Sequence, residues 1–420
     1  MTQRMLAALG VAFLFGATQA TAMAASPAWL SFKQETDEKI AAERSKLKAL
    51  ARQADEAEQA KAAITGMLQQ AGTFASFIGD SDAAMAAFDE IEAYDNKRTR
   101  RDADDLERLA ASRAQDAIPA IVAEARKRQV VILNEAHHVP MHRAFAMQLA
   151  RELRKIGYTW LACETFSDDP LEKKYVGPHT GYYTQEPVFA NFIRDAMATG
   201  WKLVPYEHIE EDDDQPHEWR LEHRETGQAR KLAERIFAKD PKAKVFIFVG
   251  YAHLAEKPGV GHGPGTAMMG AQFKHLTGID PLTIDQTTMI AHTRAESEHR
   301  LFDKALEHAK RSGPFVLRAP RGEYQVFTPY RFAVDMQVVH QRYPIDPQTG
   351  RPQWLQTLAG FTAREVPAHL LPNEGKRLVA ARPAGQPEDA IPADVVTVEA
   401  GKPAPRFMLP PGDYIYSYLE

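Results

Sequence analysis

Two carboxylates and three imidazoles, Glu135, His137, His138, Glu164 and His253, stand where apolar runs end rather than inside polar stretches. The first three fall in residues 129–142, QVVILNEAHHVPMH, where four apolar residues give way to polar ones at Asn134. Taking a carboxylate and two imidazoles out of water beside such a run is costly unless they are paired or at work. Together these groups open three routes. A histidine steered by a carboxylate can act as general base on water while a second polarises a carbonyl or steadies its oxyanion. The same donors can hold a divalent metal that activates the water. Histidine and tyrosine can instead ligate haem iron, with no reaction at all.

Further ionisable residues flank this set. Glu207 and His208 end another apolar run, beside an acidic stretch, residues 210–214, that reads as solvated loop. Arg143 and Arg224 lie in helical patterns and, with Glu207, are the candidates for gripping a substrate, because a guanidinium turned to the rim binds an anion. His142 follows His138 by four residues, a metal-ligand spacing on a helix, but Pro140 between them disrupts the helical backbone that spacing needs. Cys163 adjoins Glu164, so it faces the opposite side of its strand and serves as apolar filler. No G-x-S-x-G elbow supplies a serine nucleophile. The loop GVGHGPG, residues 259–265, lacks the Lys-Ser/Thr ending of a phosphate cradle and reads as a mobile flap carrying His262.

The elements that must position these groups follow from periodicity. Val130 to Leu133 form a wholly apolar run, as in a strand buried on both faces of a parallel sheet. Pro140 opens a helix after it. Strands then recur at 159–164, 201–208, 244–249 and 282–285, separated by helical stripes at 143–156, 188–200, 217–238 and 266–276. That alternation predicts an α/β core with a mostly parallel sheet flanked by helices, residues 129–340, its ligands gathered beyond the carboxyl ends of the strands. Pro205 places its strand at an edge or ends it early. Residues 25–128 are predicted to be helical, with Ile40, Leu47, Leu50, Ala54, Ala57, Ile64 and Leu68 as one stripe, a break at 72–80, and helices at 82–94 and 103–128. A connecting segment, 341–376, leads to a small β-rich appendage, 377–420.

The 420 residues carry a net charge of −5 and no basic patch with interleaved aromatics, which argues against nucleic acid as a partner. Residues 1–24 have Arg4, an apolar centre and an Ala-Met-Ala cleavage site, the pattern of a secretory signal peptide. No span of membrane length remains after it, and Cys163 is the sole cysteine. A periplasmic or secreted protein without disulfides is the expectation.

The motifs NEAHH, LACETF and FVGYAHL together resemble the superfamily joining erythromycin esterases, ChaN-like haem-binding proteins and TraB/Tiki proteins, over roughly residues 130–286. That superfamily is marked by a Gly-Glu-…-His turn after the first strand, a Glu ending the second and a late Gly-x-x-His. Glu135, Glu164 and Gly250 with His253 match those positions. His137 has the spacing of the ChaN-like and Tiki branches, and His138 that of the esterases. Asn134 replaces the usual glycine, a change that a left-handed backbone would allow. Arg224-Glu225 resembles the esterases' Arg-acid pair. The esterase branch implies metal-independent hydrolysis of an ester or amide, with His138 taking a proton from water, Glu135 orienting it, and Glu164 and His253 completing the site. The Tiki branch implies metal-dependent proteolysis with His137 and His253. The ChaN branch implies haem or iron handling. A small-molecule or peptide substrate is thus expected, with no cofactor in the first case and a divalent metal or haem in the others.

Overall fold

The computed structural model describes residues 28–49, 54–95, 104–169, 173–209, 214–260 and 265–419. The expected leader, His262 of the flap and residues 210–213 of the acidic stretch lie outside these, as do the side chains of Leu47, Leu50, Ala54 and Ala57.

Helices α1 (Ala28–Ala49), α2 (Ala54–Phe77) and α3 (Ser81–Asp95) come first. Ile40, Ile64 and Leu68 of the predicted stripe close on one another and on Ile91 in a small cluster of their own. Helix α2 does not break at Gly72. That glycine is a point of close approach, where a Cβ would meet the ring of Phe88 on α3 at 2.7 Å. The chain turns only at Gly79, with φ +75°.

The single helix expected over 103–128 is instead α4 (Asp105–Ala111), strand β1 (Arg113–Asp116) and α5 (Ala117–Ala125). Long-range pairing overrides helix propensity here, because β1 runs antiparallel to a strand some two hundred residues later. The alternating core follows: β2 (Val130–Glu135), α6 (Pro140–Lys155), β3 (Trp160–Cys163), α7 (Pro187–Ala198), β4 (Lys202–Pro205), α8 (His217–Leu232), β5 (Val245–Gly250), α9 (Met269–Thr277) and β6 (Leu282–Met289). Helix α10 (Phe302–Ala309), β7 (Phe315–Arg318) and β8 (Met336–Val339) complete it.

The eight strands form one sheet in the order β1-β7-β8-β6-β2-β5-β3-β4, parallel from β8 to β4. β4 is the edge strand and stops at Pro205, as the missing ladder donor requires. β2 shows why its sequence is apolar throughout. Val131 and Leu133 pack with α5, α6 and α7 on one face, while Val130 and Ile132 pack with α8 and α9 on the other. Cys163 is buried in the first of these layers.

Beyond the sheet, β9 (Ile345–Asp346) and β10 (Arg351–Pro352) form a hairpin. β11 (Thr362–Arg364) lies in the segment read as a connection, yet it pairs with β14 (Phe407–Leu409). β12 (Lys376–Pro383), β13 (Asp394–Glu399) and β15 (Tyr414–Leu419) form a three-stranded antiparallel sheet. Among the described residues, no helix is long and apolar enough to cross a membrane.

Candidate active site

Parallel register brings the strand ends to one rim. Glu135 of β2 lies opposite Gly250 of β5, and Glu164, one residue past β3, donates its N–H to Phe248 O at 3.1 Å. Glu135, His137, Glu164 and His253 are all buried there.

His137 is the imidazole that Glu135 holds. Its Nδ1 is 2.9 Å from Glu135 Oε1. Burial opposes ionisation of Glu135, but the Arg143 guanidinium and His137 outweigh it and lower its pKa below the usual carboxylate value. A carboxylate only accepts, so Nδ1 donates to Glu135 and the Nε2 edge of the ring is turned away from it. That edge of the ring faces Gly250: a Cβ there would stand 2.6 Å from His137 Cε1 and Nε2 and 3.0 Å from Glu164 Oε2. Gly250 has φ −77°, which any residue adopts, so its smallness serves the approach of His137.

A second Glu–His pair stands across Glu164. His253 Nδ1 is 2.7 Å from Glu225 Oε1, and Glu225 Oε2 accepts from Met269 N at 2.6 Å. Burial works against a charged His253, but Glu225 and Glu164 prevail and raise its pKa above the ordinary imidazole value. Glu164 accepts from Gly250 N at 2.5 Å and from Arg224 Nη2 at 2.5 Å, and it lies 3.5 Å from His253 Nε2. Burial raises its pKa, yet His253 and Arg224 together hold it well below the carboxylate range.

The two arginines have different places. Arg143 is fully buried and cannot grip a substrate. Its Nε and Nη2 donate to Glu135 at 2.7 and 3.1 Å, Nη2 also to His137 O at 2.7 Å, and Nη1 to Glu186 Oε2 at 3.2 Å. It positions the Glu135–His137 pair. Arg224 keeps 24% of its side chain exposed and reaches the site from α8. Glu207 braces it from behind, accepting Nε at 3.0 Å and Nη2 at 2.6 Å, so Glu207 also serves positioning rather than substrate.

His138 belongs elsewhere. Its ring stacks on Phe88 of α3, centroids 3.7 Å apart and planes 8° apart, and its Nδ1 lies 3.4 Å from the Tyr251 hydroxyl. Burial and the neighbouring His292 and His137 keep its pKa well below the ordinary value. His142 is turned to the backbone, its Nδ1 accepting from Ala136 N at 3.1 Å, and its ring packs beside His340. Asn134 is ordinary strand, not left-handed. Its side chain ties Asp285, Thr287, Gln286 N and Tyr251 O together. Tyr251 itself has φ +39°, a strained backbone of the kind that collects at functional sites.

Among the described residues, the site holds a partly open cavity of about 10 Å³, the room of a single water, whose lining includes Glu135, His137, Glu164, Gly250, Phe189 and Phe248. The pair His137 and His253 does not fit a metal. The Arg224 guanidinium sits 3.1 Å from His253 Nε2, where a cation would have to bind. Among the described residues, no three His, Cys, Asp or Glu side chains are grouped to hold a metal ion.

Sequence reasoning missed Glu186, visible in QEPVFANF only as a helix-opening residue, and Tyr183, whose ring stacks on His137 at 4.0 Å. Glu225 stood out only as the neighbour of Arg224.

No family model matches the chain, and no curated protein matches it. Among solved structures, it is similar to a chain described as bacterial protein toxins (15% identity, TM-score 0.30, 49% of this chain and 44% of that one). It is also similar to RRSP, a MARTX toxin effector domain from Vibrio vulnificus (16%, TM-score 0.30, 55% and 45%), and to the type III effector HopBA1 (14%, TM-score 0.29, 45% and 93%). The chain thus spans less than half the length of the first two. At these TM-scores the likenesses carry no functional weight.

Proposed function

We propose that the protein is an exported hydrolase that cleaves an ester or amide bond by general acid–base chemistry without a metal. The observation that carries this reading is the 2.9 Å contact of Glu135 with His137 Nδ1, with the Nε2 edge of the ring turned toward Gly250 and Glu164. In this mechanism His137 Nε2 takes a proton from water as its oxygen attacks the carbonyl carbon. Protonated His253 returns a proton to the leaving oxygen or nitrogen, and Arg224, the most accessible charge of the cluster, steadies the oxyanion. The base is therefore His137, in place of the His138 that the esterase resemblance implies. The reading suits the erythromycin-esterase and ChaN-like superfamily resemblance, and the leader-like residues 1–24 suit export.

The test is hydrolysis of a panel of p-nitrophenyl esters and fluorogenic peptides by chelator-treated protein. Turnover that survives chelation is the expected result. Turnover restored only by zinc would favour the metal-dependent alternative. A Soret band on hemin titration, without turnover, would favour a haem-binding protein.

A further inference from the structure

We infer that helices α2 and α3 are the cover of this site and that the Phe88–His138 stack is the contact that parts to admit substrate. What enters is taken from the hydrolase reading; what moves is argued from geometry alone. A cavity of about 10 Å³ holds one water, whereas small-molecule sites run to hundreds of Å³. The floor is the sheet, fixed by parallel register on both sides of β2 and β5. The displaceable walls are aromatic. Tyr183 lies flat on His137, and Phe88 lies flat on His138. These walls connect, since Tyr183 packs edge-on against Tyr182 at 5.0 Å and Tyr182 against Phe77, the last residue of α2, at 5.8 Å. The α2–α3 hairpin thus touches both imidazoles, one directly and one through two tyrosines.

The hairpin can move together with α1, because Ile40 of α1, Ile64 and Leu68 of α2 and Ile91 of α3 share one hydrophobic cluster, with Phe88 packed against it. Gly72 seats the Phe88 ring against α2. The hairpin meets the core through Phe77 and Met85, and β12 and β13 through Ile78, and it is also clasped by a polar contact. Asp89, fully buried, accepts from His292 Nδ1 at 2.5 Å, Thr293 N at 2.9 Å, Thr293 Oγ1 at 2.5 Å and Arg294 N at 3.2 Å. A clasp of charge-assisted hydrogen bonds can open into water, where its groups are resolvated.

The experiment labels histidines with diethylpyrocarbonate in the full chain and reads each site by mass spectrometry, in wild type, Asp89→Asn and Phe88→Ala. Asparagine turns a donor toward the backbone N–H groups of Thr293 and Arg294, weakening the clasp with little change of volume. Labelling of His137 and His138 is expected to rise about tenfold or more in Asp89→Asn, with far-ultraviolet circular dichroism unchanged. Unchanged labelling in folded variants overturns the inference. Hydrogen exchange on the wild type gives an answer if a variant does not fold: α3 exchanging together with residues 292–294, well ahead of β2 and β5, supports the cover, and exchange as slow as that of the sheet overturns it. Faster labelling in a protein that hydrolyses nothing keeps the cover and sinks the hydrolase reading.

Discussion

Replacing Gly250 by alanine perturbs the site without removing any reactive group. The new Cβ would stand 2.6 Å from His137 Cε1 and Nε2, against 3.4 Å or more for ordinary contact, so the imidazole must retreat by most of an ångström. Backbone strain contributes nothing, because φ is −77°. A displacement near 1 Å in a reacting group costs about 10²-fold in rate, or about 2.7 kcal/mol of barrier. Overpacking adds about 1–3 kcal/mol of lost stability. Steady-state kinetics on the best ester of the panel, with urea unfolding alongside, should show kcat/KM down about a hundredfold in a protein still folded. A ¹⁵N spectrum of the histidine side chains should show the His137 signals shifted. Wild-type kcat/KM with unmoved His137 signals would refute the placement of its Nε2 against Gly250.

Other perturbations test the surrounding network. Glu225→Gln removes a carboxylate that raises the His253 pKa, so the alkaline limb of the pH–rate profile should move to lower pH; an unmoved limb would deny His253 the acid role. Arg143→Met leaves Glu135 and Glu186 buried without their cation, and urea unfolding should report a loss of about 3–5 kcal/mol. Acid stability follows from four buried histidines: burial holds His138 and His142 well below their ordinary value, His340 at about 3 and His299 at about 4. Each takes up a proton on unfolding below pH ~6.5 but not in the fold, so stability is full above that pH and falls as the pH drops toward the folded values. The slope is up to about 1.4 kcal/mol per pH unit for each; His253, whose raised pKa gives stability already complete below pH ~6.5 and lost only as the pH rises through its folded value, does not offset it. A urea midpoint that is flat from pH 7 to 5 would show those rings to be solvated.

The rim itself was legible because its signals are local. An apolar run ending in Asn-Glu is enough to predict a buried strand and a polar tip, and Pro140 enough to open α6. The parallel α/β core and the edge position of β4 followed from the same reading. What the run could not reveal is which of two adjacent histidines meets Glu135, since that depends on the tight turn at 136–139 and on Arg143 reaching back to His137 O. Arg143 looked like an anion grip because a helical arginine is usually exposed, and only tertiary packing turns it inward. Glu225, Phe88 and β1 share one cause. Each acts through a partner 28 to roughly 200 residues away, a distance at which composition and periodicity carry no information.

The central claim is that Glu135 and His137, with His138 excluded, form the base. Single-turnover hydrolysis by His137→Ala and His138→Ala, both chelator-treated, compares them on one substrate. The expected result is a loss of about 10²–10⁴-fold for His137→Ala and a change of less than about tenfold for His138→Ala. The reverse order, or equal activity in both, would contradict it.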